Sequence, residues 1–334
     1  MRAIFIINQN LNHQAVISRG GGASEWLFFL TAYKLSQIEG NEIIIYNKDQ
    51  TEQILDGIQY KFYTNNEIIK TIQNETVIMQ RELLALKKIH EINPNNKYYC
   101  WCHDHYSGKY QAEHTPAMIN EYFSKFNIHV ICISNFQKRI YRTKLPRVTI
   151  HLIYNALFKE YYPKSDSITY NKDVMLFASN WDKRLDVVLR GCREYHNKNP
   201  NFSLYLLKPV YVGPNGDDLK RRFPFIELKG CIKDKTEYSK LIQGCLGVFG
   251  THFPETFGCV FAEAIHLGVP VIGDNSIATG YRDFIPNNLL CNFNNPHKIA
   301  EKIEEIYNNR PIVKLEDQFY DDKVIQEWMK LLKQ

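Results

Sequence analysis

The chain has 334 residues, 44% of them apolar and 13% aromatic, with 41 Lys and Arg against 36 Asp and Glu for a formal net charge of +5. The length exceeds one average domain and favours two of roughly 150 residues, and the apolar content excludes a disordered chain. The mild charge lacks the concentrated basic stripe of a nucleic-acid binder, and no run approaches the ~18 apolar residues that span a membrane.

Residues 3–7 read as a first strand rather than a signal peptide, and a polar loop follows over 8–18. Gly20, Gly21 and Gly22 then open a helix with Trp26, Leu27, Leu30 and Tyr33 at helical spacing, and 43–46 is the next strand. Strand, glycine turn, helix and strand form a βαβ unit whose turn can take a phosphate; the triplet reads equally as a flexible loop permitting close backbone approach. Short apolar strands at 77–80, 98–102 and 130–134 alternate with helix-like segments. The texture changes over 161–172, where Tyr161, Tyr162, Pro163 and a Ser-Asp-Ser run read as a linker. The rhythm restarts with strands at 174–178, 203–207, 226–228 and 246–249 and helices at 183–195 and 235–243. A last strand at 289–292, a helix at 298–307 and an amphipathic tail at 321–332 carrying Val324, Ile325, Trp328, Leu331 and Leu332 complete the chain. There are no internal repeats. The pattern predicts an α/β protein: a doubly wound domain over 1–160, a linker over 161–172, a second such domain over 173–316, and a tail over 317–334 that packs back on the first. A ligand is expected in the cleft between the domains, at the carboxyl ends of the strands.

The most informative stretch is 254–272, Pro-Glu-Thr-Phe-Gly-Cys-Val-Phe-Ala-Glu-Ala-Ile-His-Leu-Gly-Val-Pro-Val-Ile. Two glutamates, Glu255 and Glu263, flank a Phe-Gly turn, an apolar set follows at helical spacing, and Gly-Val-Pro stops the helix before a buried strand. A continuous helix would set the glutamates about 12 Å apart, one at the helix mouth and one two turns in. The mouth offers backbone N–H groups suited to phosphate. A ligand with a central diphosphate and hydroxyl-rich ends, such as a nucleotide-sugar, fits that arrangement. Glu255 alone could be a favourable partner of the helix dipole, but Glu263, between Ala262 and Ala264, needs a partner inside an apolar helix.

The eight cysteines show no recurring spacing and several lie in apolar runs, which suits reduced, buried thiols in an intracellular compartment. Cys100, Cys102, His103 and His105 are spaced too tightly for an ordinary structural zinc site. Lys138, Arg139, Arg142, Lys144 and Arg147 surround Tyr141; they read either as a solvated helix face or as docking to an anionic membrane surface or acidic acceptor.

Placed after a second set of βα units, the 255–272 stretch resembles the retaining glycosyltransferases of family 4, with their E-x7-E element, over nearly the whole chain. Supporting matches run in order: the glycine triplet after strand one, Ser134-Asn135-Phe136 at a strand end, Asn155 closing the first domain, Gly230 before the helix of Tyr238, and Gly280 with Asp283 where a G-x-x-E is usual. The resemblance implies the GT-B fold, two doubly wound Rossmann-like domains facing across a cleft. It implies a metal-independent, cytoplasmic hexosyltransferase of glycan biosynthesis with no cofactor. A nucleoside-diphosphate sugar, UDP- in preference to GDP-linked, is its co-substrate, and the acceptor is a glycan or a lipid- or protein-linked hydroxyl. The implied catalytic residues are Glu255, on the hydroxyls of the transferred sugar, and His103, with His105 as rival. The implied donor-binding residues are Gly21, Gly22, Lys183, Arg184, Gly230, Thr256, Phe257, Gly258, Cys259 and Glu263, the last on the ribose. Two positions depart from the family pattern: the usual diphosphate Arg is Asn180, and Arg184 stands where Gly is usual. A sugar-nucleotide epimerase of the same fold and a non-catalytic nucleotide-sugar- or glycan-binding protein are the alternatives.

Overall fold

The structure, a computed structural model of residues 1–334, describes every residue except 8–10, 20–22, 49–51, 63–69, 105–114, 208–215, 252–254 and 276–278, and all of these side chains but that of Leu84. Two compact units divide it: Met1–Ala156 with Asp321–Gln334, and Leu157–Tyr320.

The first unit is built on β1 (Arg2–Ile6), β2 (Glu42–Asn47), β3 (Gln53–Leu55), β4 (Ile58–Phe62), β5 (Thr76–Gln80), β6 (Lys97–Trp101), β7 (His129–Cys132) and β8 (Ile150–Leu152). Their order is β3-β4-β2-β1-β5-β6-β7-β8, parallel throughout except for the antiparallel β3–β4 pair. The central strands are unbroken apolar runs because helices cover both faces. Those helices are α1 (His13–Arg19), α2 (Ala23–Ser36), α3 (Leu83–Ile92), α4 (Pro116–Lys125) and α5 (Asn135–Lys144). Thr115 and Ser134 cap α4 and α5, each hydroxyl accepting a backbone N–H three residues on. The C-terminal helix Asp321–Leu332 belongs to this unit: fully buried Trp328 meets Trp101 at 4.8 Å and Phe5 at 6.2 Å between ring centroids, and Lys34 pairs with Asp321 at 3.1 Å.

The stretch read as a polar loop over 8–18 contains α1. Asn12 Oδ1 accepts the Ala15 N–H at 2.8 Å, and the His13 ring stacks on Tyr33 and Tyr60. The helix buries Val16 and His13, the latter through long-range ring contacts that a seven-residue stretch does not announce.

The second unit has β9 (Asn171–Phe177), β10 (Ser203–Leu207), β11 (Ile226–Lys229), β12 (Cys245–Gly250), β13 (Val271–Asp274) and β14 (Leu290–Cys291), all parallel, in the order β11-β10-β9-β12-β13-β14. Its helices are α6 (Leu185–Lys198), α7 (Gly216–Arg222), α8 (Lys235–Gln243), α9 (Cys259–His266) and α10 (Pro296–Asn308). Strands after β9 build to one side of it until β12 returns to the other. The loops leaving β9 and β12 therefore diverge, opening the crevice where α/β sheets bind ligands. The segment 161–172, read as a linker, is integrated into this unit: Tyr162 is 2% exposed and β9 begins at Asn171. The two crossings into the first unit are tied together, with the Leu157 N–H donating to the Phe319 carbonyl at 2.8 Å.

Candidate functional site

The crevice between β9 and β12 is bridged by an ion pair. After β9 the chain turns tightly, the Lys183 N–H donating to the Asn180 carbonyl at 3.0 Å. Trp181 Nε1 donates to the Leu207 carbonyl at 2.9 Å, fastening the turn to β10. Thr251, buried at the end of β12, donates its hydroxyl to the Lys183 carbonyl at 2.7 Å. Held from both sides, Lys183 extends Nζ to Glu255 Oε2 at 3.2 Å, and the Glu255 side chain is only 14% exposed.

Glu255 lies four residues ahead of α9, so the helical spacing estimate does not describe it. Gly258 intervenes at φ +89°, a left-handed conformation that ends helical continuity and favours glycine. A Cβ there would also come within 2.4 Å of the Phe261 ring. The Glu255 carbonyl accepts the Gly280 N–H at 2.7 Å, and position 280 presses on the loop so closely that a Cβ would meet the Thr256 carbonyl oxygen at 1.9 Å. Phe257, 3% exposed, anchors the loop against Phe284 and Phe319. Cys259 is the first residue of α9.

Glu263 sits inside α9 at 8% exposure. Tyr162 donates to Oε1 at 2.6 Å and Tyr238 to Oε2 at 2.9 Å, so the buried carboxylate is satisfied by two phenols. Burial, and after it the Glu263 charge, raises both phenol pKa values well above the usual tyrosine range, which keeps them as donors. Lys235 Nζ donates to the Tyr162 hydroxyl at 3.0 Å and lies over both rings.

Arg184 takes a different direction from Lys183. It caps α6 at φ 59°, the left-handed region, which gives a physical reason for glycine at this position in the family it resembles. Its guanidinium bonds Asp274, fully buried at the end of β13, and Asn294 Oδ1 at 2.6 Å. Gly230 is exposed, and a Cβ there would meet nothing within 4 Å.

His103 belongs to the first unit, directly beyond β6. It is 6% exposed, 4.7 Å from the Trp101 ring, and its pKa is driven well below the usual range by burial and then by the Arg81 charge, which leaves the imidazole neutral at neutral pH. Around it, Gln137 Nε2 donates to the Cys102 and Asp104 carbonyls at 3.1 and 2.9 Å, and Arg81 pairs with Asp104 at 3.0 Å and Glu25 at 3.6 Å. Gly21, Gly22 and His105 lie outside the described residues. Arg139, Arg142, Lys144 and Arg147 are exposed, whereas Tyr141 is buried, so the cations face solvent without an aromatic among them. Cys100, Cys102 and Cys132 are buried free thiols, and among the described residues no three His, Cys, Asp or Glu form a group able to hold a metal ion. Among them too, no helix is long and apolar enough to cross a membrane.

Of the predicted donor residues, then, the second unit gathers Lys183, Glu255, Thr256, Phe257, Gly258 and Cys259 at the β9–β12 crevice and the mouth of α9. Sequence reasoning missed Asp274, Thr251, Arg81 and Gln137, and placed Tyr162 in a linker. A polar residue ending an apolar strand is a local signal for Asp274 and Thr251; Tyr162 carried none.

No protein-family model matches the chain. An uncharacterized glycosyltransferase of Methanocaldococcus jannaschii is 28% identical over 192 residues, 55% of this chain and 51% of that protein, so the match spans about half of the relative's length. Among solved structures, HepE of Anabaena in complex with UDP and glucose is similar over 100% of this chain and 99% of its own, at 14% identity and a TM-score of 0.66. WaaG, a glycosyltransferase involved in lipopolysaccharide biosynthesis, is similar over 99% of both chains at 10% identity and a TM-score of 0.58. The pneumococcal O-GlcNAc transferase GtfA, in complex with UDP and GlcNAc, is matched over 80% of this chain but 59% of its own, at 16% identity and a TM-score of 0.60. These likenesses establish the fold class: GT-B, with two α/β domains on parallel sheets.

Proposed function

We propose that the chain is a glycosyltransferase that moves a sugar from a nucleoside-diphosphate sugar, UDP- in preference to GDP-linked, to a glycan or other hydroxyl acceptor with retention at the anomeric carbon. The observation that carries this reading is the Lys183–Glu255 pair at 3.2 Å across the β9–β12 crevice, beside the mouth of α9. A cation and a helix N-terminus together suit a leaving diphosphate, because both stabilise charge as it develops. Glu255 supplies acceptor oxygens for sugar hydroxyls, Thr256 to Cys259 the loop that seats the diphosphate, and Glu263 the ribose contact. With Lys183 and the helix mouth in these roles, the reaction needs no divalent metal. His103, neutral and buried, is assigned to the reacting end of the donor. The likeness to a curated glycosyltransferase and the UDP bound in the HepE and GtfA structures support the same reading.

Proton NMR of UDP- and GDP-sugars incubated with a panel of hydroxyl acceptors tests it. The expected result is acceptor-dependent release of UDP and a product whose anomeric coupling keeps the donor configuration. Inverted product refutes retention. Donor converted to a second sugar nucleotide with no acceptor present identifies an epimerase instead, and nucleotide binding without release from any donor identifies a binding protein.

A further inference from the structure

Glu263 is held from outside the stretch that names it. Tyr162, 101 residues away in sequence, bonds one carboxylate oxygen and Tyr238 the other. One donor per oxygen fixes the carboxylate plane, which a lone hydrogen bond would leave free to turn. The clamp is itself anchored. His266, one turn beyond Glu263 on α9, contacts the Tyr162 carbonyl through Nε2 at 3.1 Å and the Tyr320 hydroxyl through Nδ1 at 3.1 Å. Burial lowers the His266 pKa and favours the neutral ring, and because the Tyr162 carbonyl can only accept, Nε2 donates to it and Nδ1 accepts from Tyr320. Lys235 fixes the Tyr162 hydroxyl from the other side, so that oxygen accepts from the ammonium and donates to Glu263.

A carboxylate has about four lone-pair sites, two per oxygen. The phenols occupy one on each oxygen and leave one on each for a ligand. That pair matches a vicinal diol, whose two O–H groups donate in parallel. We infer that Tyr162 and Tyr238 are positioning residues that set the Glu263 carboxylate to accept both ribose hydroxyls, making the site selective for ribonucleotide donors. The inference rests on the donor reading above, since it needs a nucleotide at Glu263.

Calorimetric binding of UDP and of 2′,3′-dideoxy-UDP to the wild-type chain and to Tyr162→Phe, Tyr238→Phe and the double variant tests it. The wild type should prefer UDP by about tenfold or more, as expected for hydrogen bonds to a charged group. Each Phe variant should lower that preference severalfold, and the double variant should bring it close to one, with UDP affinity falling toward that of the dideoxy compound. A clamp that only satisfied a buried carboxylate would lower the melting temperature and leave the preference intact, and that result overturns the inference. So does a wild type that binds both ligands equally. If the double variant does not fold, Tyr162→Phe alone decides, as its ring stays in place and only the oxygen is lost. UDP binding with an unmoved preference refutes this inference alone, whereas no binding of UDP by the wild type refutes the donor reading with it.

Discussion

One methyl group at position 280 should disable the site while leaving the fold in place. In Gly280→Ala the new Cβ would stand 1.9 Å from the Thr256 carbonyl oxygen, 2.4 Å from its carbon and 2.9 Å from the Phe257 nitrogen. All three are backbone atoms, so no rotamer change relieves the contact. Real Cβ atoms essentially never come within 3.0 Å of such neighbours, so the 256–257 backbone must retreat by about 1 Å. Gly280 is not at a left-handed φ, so alanine carries no conformational penalty of its own there. The hydrogen bond from Gly280 to the Glu255 carbonyl binds the same loop, and the retreat therefore displaces Glu255 from its place against Lys183. A misplacement of about 1 Å costs on the order of 100-fold in rate, while overpacking of this kind costs about 1–3 kcal/mol of stability. The assay is donor turnover by NMR beside a thermal melt: kcat/KM should fall about 100-fold while a cooperative transition persists. A variant within threefold of the wild type, melting at the same temperature, would show that the loop yields without moving Glu255 and would refute the reasoning.

Lys183→Gln should weaken UDP binding by about tenfold or more, since a charge-assisted contact to phosphate is lost; calorimetry with unchanged affinity would remove Lys183 from the site. Glu255→Gln should reduce turnover at least tenfold more than it reduces UDP affinity, and equal losses in single-turnover and binding measurements would reject its role on the transferred sugar. Arg184→Gly relieves a left-handed φ, worth about 1 kcal/mol, but removes the guanidinium from the fully buried Asp274 carboxylate, which keeps the Phe293 N–H, a loss of about 3 kcal/mol when such a pair is broken. Urea unfolding should show a net loss near 2 kcal/mol, and a stabilised variant would contradict the assignment. His129 and His151 touch at 3.0 Å, and burial, then each other's company and Lys97, push the His129 pKa down to about 4. In the unfolded chain it lies near 6.5, so the folded state binds fewer protons between those values. Its stability contribution is therefore complete above pH 6.5 and lost as pH falls toward 4, by on the order of 2–3 kcal/mol. His129→Gln should flatten the difference in urea midpoint between pH 7.5 and pH 5, and an unchanged difference would refute the attribution.

The fold was legible because buried parallel strands leave contiguous apolar runs. The strands at 43–46, 77–80, 98–102, 203–207 and 246–249 lie on observed strands to within a residue or two. What escaped were elements with no such run. In the β3–β4 hairpin the outer strand, Gln53-Ile54-Leu55, is only three residues long and buries none of them, its partner β4 buries only Ile58 and Tyr60, and β8 is partly exposed at all three residues. The helix α1 is only seven residues long and carries a single short apolar run, and its buried His13 is held by Tyr33 and Tyr60, which its own sequence does not contain.

The site divides along a similar line. Backbone demands are written into the sequence as residue types: Gly258 by its φ, Gly280 by the approach of Thr256. Pairings are not, because they depend on sheet order. Lys183 and Glu255 are 72 positions apart and meet because β9 and β12 are neighbours, a fact that strand periodicity does not encode. Arg184 shows both effects at once. As a substitution for glycine it looks like a second cation for the diphosphate. Its left-handed backbone, however, explains the glycine, and Asp274 on β13 accounts for the charge. Arg184 is then best understood as a brace between α6 and β13 that holds the Lys183 turn in place, and the stability loss expected of Arg184→Gly is the measure of that role rather than of diphosphate binding.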